Sequence, residues 1–326
     1  MNMTEFLQAN GLVLLGGVAQ GLIWGVMAIG VYLTYRILDF ADLSVEGTLG
    51  LGAAVSAVLI EGGMNPFVTL IFATLAGMLA GLATGVFNTV FKIPPILAGI
   101  LTMIGLYSIT IRVLGGSASM FIADNRITTG LRGVLQSWGI FPKDYLNNIT
   151  VTILGVVILV LLICFLYFFF GTEIGTSIRA TGANPHMARA LGVPTSIMVV
   201  LALVISNGLV GLSGALIAQT QGSADVQLGQ GSIVIGLASI IIGEVIFCRK
   251  DHSFGYKLSM VVVGSIIYRI IYAVTLRIGL KASDTKLITA LIVLIALAVP
   301  VIKNAIQTRS LRIANDKKYA GGNADA

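Results

Sequence analysis

Charge is scarce in this sequence: Asp, Glu, Lys and Arg together make up 10% of its 326 residues, against about 25% in a soluble domain. That shortage excludes an ordinary water-soluble globule. Histidine and cysteine are rarer still, with two of each. His186 and His252 have no metal-ligand company, and Cys164 and Cys248 lie in or at the end of apolar runs, so neither a metal site nor a disulfide is indicated. No G-x-x-x-x-G-K-[ST] stretch occurs, and no glycine is followed by lysine, which leaves the chain without a phosphate loop. H-E-x-x-H and G-x-S-x-G are missing too, so no clustered set for hydrolysis is present. No catalytic residue, no metal and no cofactor are expected in this chain.

Apolar residues are abundant, at 56% of the sequence with a mean hydropathy of +0.97. A transmembrane helix needs about 20 of them in a row. Runs of that order recur at Leu12–Tyr35, Met64–Phe91, Ile93–Ile111, Asn147–Thr172 and Ala190–Ala224. Shorter ones follow at Val226–Gly243, Leu258–Tyr268 and Leu287–Ile302. The alternating segments of about 10 residues that mark a β-barrel are not seen. The expected fold class is therefore an all-α polytopic membrane protein, in contact with membrane lipid. About nine transmembrane helices (eight to ten) are expected, near 11–34, 42–60, 65–91, 94–114, 149–170, 196–220, 230–248, 256–279 and 286–302. The first run has no basic segment ahead of it and is too long for a cleavable signal, so it is expected to remain as the first span.

A net charge of +6 does not point to nucleic acid, because the basic residues follow membrane topology. Lysine and arginine are retained on the cytoplasmic side. A cytoplasmic tail carrying Lys303, Arg309, Arg312, Lys317 and Lys318 also places Arg249, Lys250, Arg179, Arg189, Lys92 and Arg36 inside. The N-terminus is then outside. Two domains of unequal size result: a membrane part over 1–302 and a basic tail over 303–326 that is expected to be disordered. The longest outside loop, 115–148, is expected either to cap the bundle or to meet an external partner. The small-residue stretches 47–60 and 232–246 lie on the second and seventh spans, which run in opposite directions, as an inverted repeat requires.

Between two apolar runs stands "EIGTSIRATGANPHMARALGVP", residues 173–194. Asn184 suits an N-cap and Pro185 the first helical position, while Gly192 suits the left-handed position after a helix and Pro194 stops continuation. A helix of about seven residues spans roughly 10 Å and needs a surface to dock on. Met187, Ala190 and Leu191 give it an apolar side, and Arg189 projects elsewhere.

The pattern G-x-x-x-R-A-x-G-x-N-P-x-x-A-R-x-x-G-V in this segment resembles the coupling-helix loop of ATP-binding-cassette importer permeases of the branched-chain amino-acid and ribose type. "DFADLSVEGTLGLGAAVSA" (39–57) and "KIPPILAGILTMIGLYSI" (92–109) resemble the second and fourth spans of that family. "GSIIYRIIYAVTLRIGLKASDTKLITALIVL" (264–294) is similar to the subgroup that accompanies tryptophan- or tyrosine-type binding lipoproteins. The resemblance runs through residues 35–300 and implies a type II-like importer fold with inverted repeats, in a bacterial cytoplasmic membrane. It further implies a permease homodimer, one cytoplasmic ATPase per copy carrying ATP and magnesium, and an extracytoplasmic substrate-binding lipoprotein. Arg179, Gly182, Asn184, Pro185, Arg189 and Gly192 would then shape the loop that fits the ATPase. The subgroup suggests an amino acid as cargo, with aromatic ones first.

Asp39, Asp42 and Glu46 fall at i, i+3 and i+7, one face of a helix. Glu46 and Arg269 sit within spans, where a charge costs about 2.5–3.5 kcal/mol on insertion scales. They are expected either to pair or to face a water-accessible path, with Glu244 as an alternative partner. Gln20, Asn88, Asn207, Gln219 and Gln221 either line such a path or bond between helices, and of the path candidates Asn207 and Gln219 come first. The glycine ladders Gly17-Gly21-Gly25 and Gly77-Gly81-Gly85 permit close helix approach, within one subunit or across a dimer. An ion-coupled secondary transporter with Glu46 and Arg269 as coupling residues is the alternative reading.

Overall fold

A computed structural model of the chain describes residues 3–122, 126–138, 142, 144–247 and 253–277, with 287, 289–291, 293, 294 and 298 beyond them. Helix α1 (Met3–Tyr32) runs on through a π-helical turn, Leu33–Ile37. The chain then reverses at Asp39, whose φ is 55°, and enters α2 (Ser44–Glu61). The Asn65 side chain accepts from the Phe67 N–H and caps α3 (Pro66–Thr89). A second reversal at Lys92, with φ 54°, and the pair Pro94–Pro95 start α4 (Pro95–Val113).

Strand β1 (Ser119–Phe121) and the amphipathic α5 (Ile127–Trp138) precede α6 (Leu146–Phe169). Two short helices, α7 (Glu173–Ala183) and α8 (Pro185–Ala190), lead into α9 (Thr195–Gln221). Strand β2 (Ser223–Asp225) pairs antiparallel with β1, Met120 opposite Ala224, and a 3₁₀ turn over Val226–Gly229 opens into α10 (Ser232–Phe247). Helix α11 (Phe254–Arg277) follows.

Eight helices among the described residues are long and apolar enough to cross a membrane. They agree with the first eight expected spans, and the ninth, over 286–302, lies largely outside the described residues. The expected tail lies wholly outside them. This is an all-α, multi-pass membrane protein.

Helix α9 is the centre of the bundle, packed on α1, α2 and α3. The glycine ladders explain how the helices come so close. A Cβ at Gly77 or Gly81 would collide with the backbone carbonyls of Asn207 and Leu203 in α9. One at Gly21 would lie 3.1 Å from Ile266 Cγ1 of α11, with the Ile266 backbone nearer still. Both ladders therefore serve packing inside one subunit. Outward faces of α3, α4 and α6 carry Ile71, Leu79, Ile104, Leu161 and Phe168, all exposed, as hydrocarbon contact requires.

Within the segment 115–148, α5 packs against α6 and touches α9. Ile127, the first residue of α5, is buried, and its N–H donates to Gln219 Oε1 at 3.3 Å. Thr128 donates to the Gln219 carbonyl at 3.3 Å.

Candidate functional site

Two ends of the bundle carry polar groups. At one end, α7 leaves α6 through the short turn at 170–172 and packs on α9 and on the π-helical turn of α1. Thr172 caps it, accepting from the Gly175 N–H at 3.3 Å, and a Cβ at Gly175 would collide with the Phe169 carbonyl. Gly182 seats α7 against the π-helical turn of α1, where a Cβ would overlap the Ile37 carbonyl oxygen. Asn184 ends α7 and caps α8, its side chain accepting from the Met187 N–H at 3.0 Å with Pro185 in the first turn. Gly192, at φ +83°, closes α8; its N–H donates to the Arg189 carbonyl, and Val193 donates to Ala188. This bond pattern ends a helix in a fixed geometry.

The sequence led to one helix in this segment; the structure has two in series. Ala188 is the residue that α8 buries, and the expected apolar side stays uncovered, with Met187 and Leu191 53% and 73% exposed. Arg189 is held to the first residue of α9, its Nη2 donating to Thr195 Oγ1 at 3.2 Å. Arg179 is exposed on α7. A cavity of about 420 Å³ lies beside this end, lined by Arg36, Arg179, Gly182, Glu244, Phe254 and Lys257 among others. Across it Arg36 Nε meets Glu244 Oε1 at 2.8 Å. That ion pair takes Glu244 away from Arg269, and the sequence offered no signal for it because the partners are 208 residues apart.

Asp39, Asp42 and Glu46 do not share one helix face. The helix starts only at Ser44, because Asp42 Oδ1 accepts from the Ser44 N–H at 2.9 Å and from its hydroxyl. Asp42 is instead a buried node: Asn207 Nδ2 donates to its Oδ2 at 2.7 Å. Thr48 and Ser44 donate in turn to Asn207 Oδ1, at 2.7 and 3.2 Å. Burial pushes the Asp42 carboxyl above the ordinary carboxylate range, against the pull of its bonds to Ser44 and Asn207. Asn207 is fully enclosed, and in this conformation it ties α9 to α2. Gln219 is enclosed likewise, donating to Ser56 Oγ, Thr69 Oγ1 and the Pro66 carbonyl, each at 3.1 Å. Asn88 donates to the Ile93 carbonyl at 2.9 Å and braces the reversal at Lys92.

Glu46 and Arg269 are not paired with each other. Glu46 Oε1 accepts from the Gly231 N–H at 3.0 Å, and the side chain lines a cavity of about 410 Å³ with Met103, Tyr107, Thr110 and Gln230. Arg269 lies over Trp24, its Cζ 3.8 Å from the ring centroid, and 5.4 Å from that of Tyr272. It lines two further cavities, one of which includes Gln230 and Gly231. The Gln230–Gly231 corner thus lies between the acid and the base. Trp24 and Tyr272 escaped the sequence reading, because a stacked arginine leaves no periodic signature. Among the described residues no group of His, Cys, Asp and Glu is placed to hold a metal ion.

Comparison with known proteins gives a consistent picture. Residues 13–298 match the family model described as branched-chain amino acid transport system / permease component. A tyrosine transport system permease protein of Clostridioides difficile (strain R20291) is 37% identical over 281 residues, 86% of this chain and 88% of the relative. An uncharacterized protein of Rickettsia prowazekii (strain Madrid E) is 32% identical, covering 88% of this chain and 97% of its own. The fructose import permease protein FruG of Bifidobacterium longum (strain NCC 2705) is 26% identical, over 85% of this chain and 77% of the relative. No solved structure matches the chain.

Proposed function

Since the chain belongs to the family of branched-chain amino acid transport permease components, we propose that it is the membrane subunit of an ATP-driven importer for a small solute, an amino acid with aromatic ones first. The observation that carries this reading is α8: a six-residue helix, fixed at both ends, that leaves Met187 and Leu191 exposed. Such a helix is too short to be stable alone, and a second protein surface is what its apolar tip fits.

The partner in this reading is a separate cytoplasmic ATPase, which binds ATP and magnesium. Its closure displaces α8. Because Asn184 and Gly192 fix the ends of α8, Arg189 ties it to α9, and Gly182 seats α7 on α1, the displacement reaches the two helices at the heart of the bundle. Arg179 and Pro185 belong to the same docking face. The α7–α8 end is then cytoplasmic and the β-ribbon end faces outward, where a binding lipoprotein delivers cargo. The N-terminus is outside, the C-terminus is inside, and the host membrane is a bacterial cytoplasmic membrane. Two copies of the permease enclose the path, on which the cavities of Glu46 and Arg269 open. The tyrosine transport relative supports an amino acid over a sugar, because it is more similar to this chain than the fructose permease is.

Proteoliposomes holding the permease, its ATPase and its binding protein test the reading. Enclosed ATP at the ATPase face is expected to drive uptake of L-tyrosine with no ion gradient. Uptake that follows a proton or sodium gradient and ignores ATP would overturn it in favour of a secondary transporter.

A further inference from the structure

Six buried polar side-chain atoms among the described residues have no hydrogen-bond partner. Three of them, Gln20 Oε1, Trp24 Nε1 and Arg269 Nε, belong to residues around two cavities of about 480 and 470 Å³. Those cavities share Arg269, Gln221 and Tyr272 in their walls. Gathering of unmet polar atoms at one place is unusual, because buried donors and acceptors are nearly always satisfied.

The charge balance is just as uneven. Among the described residues Arg269 makes no ion pair or hydrogen bond, and none of those that line either cavity is an acid. Its guanidinium rests on Trp24, and Trp24 itself is only 5% exposed. Stacking on a ring fixes the guanidinium plane while its N–H edge stays available. An isolated cation inside a span normally has an anion or a water-filled route beside it.

We propose that this double cavity is a binding subsite for the carboxylate of the transported solute. The Arg269 N–H groups and the Trp24 indole N–H donate to the carboxylate oxygens. The unused Gln20 oxygen accepts from the ammonium group of the same amino acid. The cavity sits toward the β-ribbon end, next to Gln221 and Gln230, so a solute arriving from that side meets it early. This subsite rests on the amino-acid importer reading, and it assigns recognition to the permease as well as to the binding protein.

The test uses the full chain in lipid nanodiscs with Trp138→Phe, which leaves Trp24 as the sole tryptophan of the original two. Trp24 emission is titrated with L-tyrosine, and separately with tyramine and L-tyrosinamide, which lack the carboxylate. L-tyrosine is expected to shift the emission saturably, with both analogues weaker by about 10–100-fold. Arg269→Gln is expected to abolish the response, and Arg269→Lys to retain part of it. An equal response to all three probes, or none to L-tyrosine, would overturn the subsite; the comparison of probes needs no change at Arg269 itself. Uptake separates the two readings. ATP-driven L-tyrosine uptake that survives Arg269→Gln, with Trp24 silent, would remove the subsite and keep the importer. A carboxylate-selective Trp24 response without ATP-driven amino-acid uptake would keep the site and remove the importer.

Discussion

Asn207 shows how much a single amide organises. It donates to Asp42 and to the Leu203 carbonyl, and accepts from Thr48 and Ser44. Replacing it with leucine leaves the buried Asp42 carboxyl without one of its two side-chain donors, a loss of about 3 kcal/mol. The effect has a definite pH dependence. A carboxyl whose pKa is raised by folding keeps its proton longer in the folded protein than in the unfolded one. Stability therefore falls as pH rises through the window above the ordinary carboxylate value. Melting temperature in detergent, measured from about pH 4 to pH 8, is expected to decline for the wild type, more steeply for Asn207→Leu, and least for Asp42→Asn. A flat profile in all three would contradict the assignment. The sequence had named Asp42 and Asn207, but their separation of 165 residues hid the pairing. Periodicity reports which residues share a helix and not which helices meet. For the same reason the i, i+3, i+7 spacing of Asp39, Asp42 and Glu46 suggested one face, when α2 in fact starts only at Ser44.

At the scale of elements, α8 was the most legible part of the chain. Its boundaries depend on local chemistry: Asn184 as cap, Pro185 in the first turn, Gly192 at positive φ. The extra helix α7 was not legible, since its start depends on the Thr172 cap and on Gly175 lying against α6. Gly182 is where the pair meets α1. Gly182→Val is expected to cost about 1–3 kcal/mol by overpacking against the Ile37 carbonyl, and to lower transport more than folding, because it breaks the seat that passes motion to α1. Comparing ATPase rate with uptake per ATP checks this: hydrolysis retained with uptake reduced is the expected result, and proportional loss of both would refute it. By contrast Glu244→Gln removes an ion pair whose arginine is largely exposed, so its effect on melting is expected to be below about 1 kcal/mol. Thermal unfolding of that variant beside the wild type measures it.

For the whole molecule, the fold class followed from composition, since eight helices of sufficient length and apolarity cannot be placed in water. The arrangement of those helices around α9 did not follow. It depends on glycines that only reveal their partners in three dimensions, as Gly77 and Gly81 do against α9. The same limit applies to Arg269, legible as a costly charge within a span but not as the lid on Trp24.

ATP-driven import by this chain requires that α8 carry a soluble motor. The most direct measurement is co-purification from native membranes in mild detergent, wild type beside a Met187→Asp/Leu191→Asp variant. Both side chains are exposed, so the variant is expected to fold and melt as the wild type does. The account predicts a cassette ATPase recovered at equal copy number with the wild type and lost from the variant. A stable, folded permease recovered without any ATPase, or one that retains its ATPase in the variant, would contradict it.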